Sequence, residues 1–415
     1  MQFRRPPTTT EGTEPLLALL ALTTAVQALA TFSVFALPTL APKAAAAFGV
    51  APQWIGYQVS VIYIAAASVS GYAGMIVRRY GPGSASLAAL AACALGLVTL
   101  STGNLAITVA GSALIGLGYG LTNPAAAHLL FKYAPAGRRN LIFAIKQAGV
   151  PIGAMLAATL LPRLSESIGW QAAIGVSSLM IAGVSIPLLM RRSRWDSDAD
   201  PTADLKEGGL AGLKLVWRHP VLRSLAFVGL CYAGFQVCLI AFAVTMLATE
   251  FGWTLIEAGM IAALMQIAGI AGRLSWSLAA DQFGRGLAIL AAVGVMATVF
   301  ALITAVMTPA WPTFALILVL AGFGFSIIGW NGVYMAQTAR LSGARDVGIA
   351  TGGVLMFNFA GVIVAPATFG IVSKSIGSIA TTFGLFALLP LLGTLLLLGA
   401  IRQTREPADP SVPSA

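Results

Sequence analysis

Residues 263–286 read ALMQIAGIAGRLSWSLAADQFGRG, an apolar segment that ends in a short charged turn. The apolar part is long enough to form a helix that crosses a lipid bilayer. One arginine, Arg273, lies inside it, so a helical rise of about 1.5 Å per residue places Arg273 about 12 Å from Asp281 in the turn. A permanent cation at that depth costs at least about 2.5–3.5 kcal/mol, which makes Arg273 a candidate functional residue.

The composition of the whole chain indicates a polytopic membrane protein. Of its 415 residues, 58% are hydrophobic and 9% are charged, and the mean hydropathy is +0.88. Soluble domains average about 25% charged residues. The net charge of +10 does not indicate nucleic-acid binding, because the basic residues are scattered over short loops. The cysteines lie in apolar segments without metal-ligand spacing, so we predict neither a disulfide framework nor a metal site.

Hydropathy predicts an all-α membrane protein with twelve transmembrane helices, arranged as six, a polar loop and six. The first apolar run is too long for a signal peptide, so we count it as a span. The predicted spans cover residues 15–40, 52–77, 84–103, 105–131, 141–162, 168–190, 224–248, 256–280, 287–308, 312–337, 347–372 and 378–401. The remaining segments are a tail (1–14), a linker loop (191–223) between the bundles 15–190 and 224–401, and a second tail (402–415).

The charges of the loops predict the orientation of the chain. Nearly all loop lysines and arginines fall on the side of the two termini, and the opposite side carries only Lys43, Arg163 and Lys374. Such a bias marks the cytoplasmic side. We therefore expect a multi-pass protein of the inner or plasma membrane with both termini in the cytoplasm. Four tryptophans at the outer ends of spans fit an interfacial aromatic belt: Trp54, Trp170, Trp253 and Trp311.

The two halves of the chain repeat each other in sequence. Matching segments are 116–119 with 322–325, 137–140 with 343–346, and 78–81 with 281–284. Two parallel six-helix repeats joined by a loop describe a known transporter architecture.

With these features the chain resembles a transporter of the major facilitator superfamily (MFS) over nearly its whole length. The clearest signal is the family's loop motif, roughly G-x-L-A-D-R-x-G-R. The copy at 277–285, SLAADQFGR, keeps the acidic residue, the glycine and the last basic residue; the copy at 74–82, GMIVRRYGP, has Arg78 at the acidic position. Segment 149–153, GVPIG, resembles a motif of antiporters in span 5. The resemblance implies a set of gating residues: Gly74, Arg79, Gly81, Asp281, Gly284, Arg285, Gly149 and Pro151.

Charges inside the spans give the strongest indication of function. Only Lys146 and Arg273 lie well inside apolar spans, and no carboxylate does. Unpaired buried cations need a counter-ion, and a transported anion can supply it through a bidentate contact with arginine. The MFS arrangement implies that helices 5 and 8 face each other, so both cations can flank one cavity. An arginine in helix 8 also resembles the substrate-binding arginine of oxalate–formate exchangers and monocarboxylate porters.

Structural roles are open alternatives for these residues. Arg273 can donate to carbonyl groups at helix ends, and Lys146 can extend to the cytoplasmic interface or be neutral. Neutral polar residues of the spans are further candidates for the cavity wall, with interhelical hydrogen bonds as the alternative role. They are Gln27, Tyr232, Gln236, Gln266, Asn331 and Tyr334.

The leading hypothesis is a secondary transporter that moves a small organic anion, in the first place a carboxylate, by alternating access. An exporter of drugs or hydrophobic compounds on the same fold is the alternative, and a non-transporting membrane sensor is a third hypothesis. No Walker A sequence or catalytic motif occurs, so we expect neither an enzyme nor a cofactor. The expected partners are a small-molecule substrate and the lipid bilayer, and we expect a monomer.

Overall fold

The computed structural model describes residues 16–50, 54–203 and 211–405, where nearly every segment is helical. Both predicted tails lie almost wholly outside these residues. The first half contains α1 (Leu16–Thr39), α2 (Ala41–Phe48), α3 (Trp54–Tyr80), α4 (Pro82–Leu100), α5 (Leu105–Tyr133), a 3-10 turn (Ala136–Arg138), α6 (Arg139–Gln147), α7 (Gly149–Ile168) and α8 (Trp170–Trp195). After α9 (Ala211–Arg218), the second half contains α10 (Pro220–Glu250), α11 (Leu255–Phe283), α12 (Gly286–Val306), α13 (Thr313–Ile327), α14 (Asn331–Ile376), α15 (Ile379–Phe386) and α16 (Leu388–Arg405).

The prediction of twelve spans is confirmed. In the described residues, 11 helical stretches are long and apolar enough to cross a membrane, and one of them, Thr313–Ile376, has 64 residues. A bilayer needs only about 20 helical residues. Gly343 interrupts that stretch with φ 75° and ψ 171°, a conformation that side chains with a Cβ rarely adopt. The stretch therefore provides two spans, numbers 10 and 11.

Three spans are interrupted at points that hydropathy did not predict. Span 5 is divided between α6 and α7, span 10 between α13 and α14, and span 12 between α15 and α16. Proline explains two of these breaks, because it has no N–H for the carbonyl four residues earlier. Pro151 leaves the carbonyl of Gln147 without its helical donor, and Pro390 does the same to Phe386. A backbone carbonyl at membrane depth needs another donor.

The two halves meet on the side of the bundle where the basic loops lie, which we call the basic side. The closest approach there is between α3 and the second part of α14. A Cβ on Gly74 would lie 2.3 Å from backbone atoms of Ile349, so only glycine allows these helices to touch. Gly352 makes a similar contact with the carbonyl of Ser70. On the basic side the halves are therefore packed backbone to backbone.

Residues 196–203, which follow α8, run across the basic side of the first half, and three alternate aspartates hold them there. Asp196 accepts hydrogen bonds from the backbone amides of Gly83 at 2.7 Å and Ser84, and so caps the start of α4. Asp200 forms an ion pair of 3.5 Å with Arg78. The linker thus supplies carboxylates to the loop whose own motif has an arginine at the acidic position.

Asp198 is the middle carboxylate of this linker segment. It lies 2.9 Å from Nε2 of His128 and 3.4 Å from Nζ of Lys132. The hydrogen bond from His128, with the nearby positive charges, lowers the pKa of Asp198 to about 2. The carboxylate is therefore charged at any physiological pH. Farther along, α9 packs on the second half, where Gly212 reaches the backbone of Gly353.

We predict that Asp196→Ala lowers the thermal stability of the purified protein in detergent more than Asp200→Ala does. Loss of an N-terminal cap costs about 0.5–2 kcal/mol, whereas an exposed ion pair contributes about 0–1 kcal/mol. The Asp196 side chain is 13% exposed and that of Asp200 is 39% exposed. Unfolding midpoints of the two variants measure the difference, and an equal or larger loss in Asp200→Ala would contradict this role of Asp196.

Candidate functional site

A cavity lies between the two halves at the depth of Arg273. Its volume is about 100 Å³. The lining combines amide, aromatic and apolar side chains with one cation. The residues are Tyr63, Tyr119, Asn123, Gln147, Val150, Ala233, Gln236, Val237, Arg273, Trp330, Asn331, Met335, Leu355, Asn358, Phe359 and Val362.

Arg273 in α11 is 2% exposed and connects the two halves. Its Nη1 donates to the backbone carbonyl of Gln147 at 2.6 Å, and its Nε donates to the backbone carbonyl of Ile328 at 3.0 Å. Gln147 belongs to the first half and Ile328 to the second. A single guanidinium therefore ties the two halves together at the wall of the cavity.

Both carbonyl groups are available because their helices stop there. Pro151 removes the helical donor of Gln147, where α6 ends, and Ile328 is the C-cap of α13. Carbonyl groups at the C-terminus of a helix carry a partial negative charge that favours a nearby cation. Two broken helices thus provide partial compensation for the charge of Arg273, as the structural alternative anticipated.

The two carbonyl partners do not neutralise Arg273, so the cavity wall keeps a net positive charge. In the described part of the chain, no carboxylate forms an ion pair with Arg273, and the cavity lining contains no aspartate or glutamate. Nε and Nη1 have carbonyl acceptors, while Nη2 has no acceptor among the described residues. The guanidinium therefore keeps both positive charge and donor capacity for a molecule in the cavity.

Side chains of the two halves also meet across the cavity. Nε2 of Gln147 donates to Oδ1 of Asn331 at 2.9 Å. Phe359 of α14 lies 5.8 Å from Tyr63 and 6.1 Å from Tyr119, measured between ring centroids. These contacts form one wall on which a small apolar group can pack.

Lys146 does not line the cavity. It is 2% exposed, and its Nζ donates to Oε1 of Gln27 at 2.7 Å and to Oδ1 of Asn123 at 2.5 Å. The side chain is thus enclosed within the first half and does not extend to the interface. Lys146 holds Asn123, which does reach the cavity, and Gln27 holds Lys146 in turn, so both predicted residues lie behind the cavity lining.

The other predicted binding residues lie at the cavity wall, behind it or outside the site. Gln236 and Asn331 line the cavity, whereas Tyr334 lies behind it and donates to Oδ1 of Asn358 at 2.9 Å. Tyr232 is fully buried between helices of the second half and donates to the carbonyl of Leu290. Gln266 lines a different cavity, between α10 and α11. Tyr232 and Gln266 therefore lie outside the candidate site.

Sequence reasoning missed several residues of the wall. Tyr63, Gln147, Asn358 and Phe359 were not predicted, although three of them are polar or amphipathic residues in apolar spans. They lie on spans 2, 5 and 11, which form the interface between the halves together with span 8. A search for polar and amphipathic residues in those four spans would have found Tyr63, Gln147 and Asn358.

The predicted gating residue Asp281 joins the two halves on the basic side. Its carboxylate accepts hydrogen bonds from the backbone amides of Asn140 at 3.1 Å and Leu141 at 2.9 Å, and from Nδ2 of Asn140 at 2.7 Å. These amides begin α6, where the helix dipole favours a negative charge. Nε2 of Gln337 adds a bond of 3.2 Å to Oδ1 of Asn140. Asp281 is thus a link between the second half and the first.

The remaining predicted gating residues have separate local roles. Arg79 donates to the carbonyl of Ala203, and Gly81 leaves room for the side chain of Asp196. Gly284 ends α11 with φ 64°, and Arg285 is an exposed residue of a cavity on the basic side. Gly149 lets α7 approach the backbone of α1.

Comparisons with known proteins identify the fold. A model of the Major Facilitator Superfamily matches residues 23–339 and 233–415. No curated protein matches the chain.

Solved structures share the fold. The E. coli fucose:proton symporter FucP is 17% identical and has a TM-score of 0.72, and the match covers 93% of this chain and 99% of FucP. The proton:xylose symporter XylE is 14% identical with a TM-score of 0.72, covering 92% and 95%. The human organic anion transporter MFSD10 is 14% identical with a TM-score of 0.73, covering 92% and 100%.

We predict that Asp281→Ala shifts the protein towards a form that is open on the basic side, because the start of α6 loses its link to α11. Loss of the carboxylate leaves two helix-terminal amides unpaired, at about 1–3 kcal/mol each. Spin labels at Gly137→Cys and Arg340→Cys, in a background without the three native cysteines, report the distance between the halves. Pulsed electron resonance should show a longer component in Asp281→Ala. The control is Asp196→Ala, which acts within one half, and unchanged distances in Asp281→Ala would contradict the gating role.

Proposed function

The chain belongs to the Major Facilitator Superfamily and is a transporter, not an enzyme, and we propose that it moves small organic anions, in the first place carboxylates, with Arg273 as the residue that binds the anionic group. One observation carries this proposal. Arg273 is a buried cation at the wall of the central cavity, and its partners are carbonyl oxygens rather than a carboxylate.

The chemistry of a carboxylate matches what Arg273 lacks. A carboxylate brings a negative charge and two acceptor oxygens, which fit the planar donors of guanidinium. The aromatic and apolar wall around Tyr63, Phe359 and Met335 accommodates the body of a small acid. A transported anion thus supplies the counter-ion that none of the described residues provides.

Alternating access follows from the contacts between the halves. In the present state, Asp281 and the packing of Gly74 against Ile349 hold the basic side together. Rocking of the halves breaks these contacts and opens the cavity to the basic side. The described residues of the cavity lining include no carboxylate that could carry a proton. The coupling we propose is therefore exchange of anions, or transfer of a proton on the substrate itself.

Two other substrate classes deserve comparison. Neutral polyhydroxylated solutes are the second candidate, because five amide side chains line the cavity and FucP and XylE are sugar symporters. Those five residues are Asn123, Gln147, Gln236, Asn331 and Asn358. MFSD10, in contrast, is an organic anion transporter. Export of lipophilic cations fits less well, since the charged residue at the cavity is itself a cation.

Counterflow in proteoliposomes tests the proposed substrate class. We predict that the wild-type protein exchanges a small mono- or dicarboxylate and that Arg273→Gln weakens its affinity at least about 30-fold, because truncating a buried charged partner costs about 2–5 kcal/mol. Arg163→Gln is the matched control, since Arg163 is exposed and lies outside the cavity. Sugars and lipophilic cations are assayed in parallel.

The outcomes separate the candidates. Undiminished affinity in a folded Arg273→Gln variant would make Arg273 a structural residue only. Movement of sugars alone would favour the second candidate, and movement of lipophilic cations alone would favour the exporter.

We also propose that the basic side faces the cytoplasm, in accordance with the loop charges. A membrane-impermeant thiol reagent applied to intact cells should label Ala310→Cys, which is exposed on the opposite side. Ala136→Cys, exposed on the basic side, should react only after permeabilisation. The reverse labelling pattern would contradict this orientation.

A further inference from the structure

Gln147 has a buried acceptor without a donor, at the wall of the central cavity. The residue is 2% exposed. Its Nε2 donates to Asn331, and its backbone carbonyl accepts from Arg273. The side-chain Oε1 has no hydrogen-bond partner among the described residues. A buried carbonyl oxygen without a donor costs about 1–3 kcal/mol, so this atom indicates a missing partner.

The position of this atom defines what the partner must be. Because Arg273 binds the backbone carbonyl of the same residue, an anion that reaches the guanidinium comes to lie beside the side chain of Gln147. A second carboxylate oxygen placed against Oε1 would bring two acceptors together. A hydroxyl group on the carbon next to the carboxylate would instead donate to Oε1 while the carboxylate engages Arg273.

A charged donor fits the position less well than a hydroxyl. An ammonium group would lie near the guanidinium of Arg273, and the lining offers no carboxylate to balance the two cations. A hydroxyl group is neutral and donates a single hydrogen bond. Val150, Val237 and Met335 line the same cavity and leave apolar space for the rest of a short acid.

We propose that the substrates are 2-hydroxy carboxylates and that Gln147 selects them by accepting a hydrogen bond from the hydroxyl group at Oε1. This inference rests on the proposed function of Arg273 in anion binding. It adds a specificity-determining residue, which the sequence did not single out, and it separates 2-hydroxy acids from their deoxy and 2-oxo analogues.

Three acids that share one carbon skeleton test the inference: racemic lactate, propionate and pyruvate. Half-saturation concentrations are measured by competition for counterflow in proteoliposomes of the wild-type protein. The unpaired acceptor corresponds to about 10-fold tighter binding of lactate than of propionate or pyruvate. In Gln147→Met, which keeps the length of the side chain without the acceptor, the ratio of lactate to propionate affinity should fall to about 1.

Gln236→Met is the matched control. Gln236 lines the same cavity, but its Oε1 already accepts a hydrogen bond from Nε1 of Trp330 at 2.8 Å. The preference for lactate over propionate should therefore persist in this variant, whatever happens to its rate. If Gln147→Met is not folded, the comparison of the three acids in the wild type decides by itself.

The results separate this inference from the proposed function. Equal affinities for the three acids, all lost in Arg273→Gln, would overturn the role of Gln147 and leave the anion transporter intact. A preference for pyruvate would also overturn it, because the wall would then present a donor. If no carboxylate moves at all, the proposed function and the inference fail together.

Discussion

A guanidinium held by the carbonyl ends of broken helices is the constraint on which the centre of this protein depends. Arg273 cannot lose its charge, and no acid of the described residues pairs with it. Span 5 is interrupted at Pro151, and α13 ends at Ile327. The carbonyls of Gln147 and Ile328 therefore accept hydrogen bonds from the arginine. Each break alone would leave an unsatisfied carbonyl at membrane depth. The arginine and the two breaks therefore explain one another.

The two copies of the loop motif obtain their carboxylates from different parts of the chain. Asp281 follows the family motif and caps the first turn of α6 in the other half. The matching position in the first half holds Arg78, and the carboxylates come instead from the linker, through Asp200 and its neighbours. The carboxylate at one copy of the motif thus comes from a loop within the repeat, and the carboxylates at the other copy come from the segment between the repeats. Because the linker also packs on α14 through Gly212, it contacts both halves when the basic side is closed.

Much of this arrangement could be predicted from the sequence, and the reasons for the exceptions are physical. Hydropathy gave the twelve spans, and the charge census selected Arg273, because both depend on properties of single segments. Pro151 could also have located the free carbonyl, since the missing N–H always affects the residue four positions earlier. The surroundings of Lys146 could not be predicted in this way. Whether a lysine reaches a cavity or turns to Gln27 and Asn123 depends on the rotation of its helix within the bundle, which composition does not determine.

In the mechanism that we propose, the bridging position of Arg273 also relates substrate binding to the transport cycle. Opening of the basic side would separate α6 from α11 and take the Gln147 carbonyl away from Nη1. In an empty transporter this movement leaves a buried donor without a partner, at a cost of about 1–3 kcal/mol. A bound carboxylate can follow the arginine and supply the lost acceptor, so the loaded protein changes conformation with less resistance than the empty one. If only the loaded form crosses readily between the two states, the transporter exchanges one anion for another. This proposed exchange accords with a cavity wall whose described residues include no proton-carrying carboxylate.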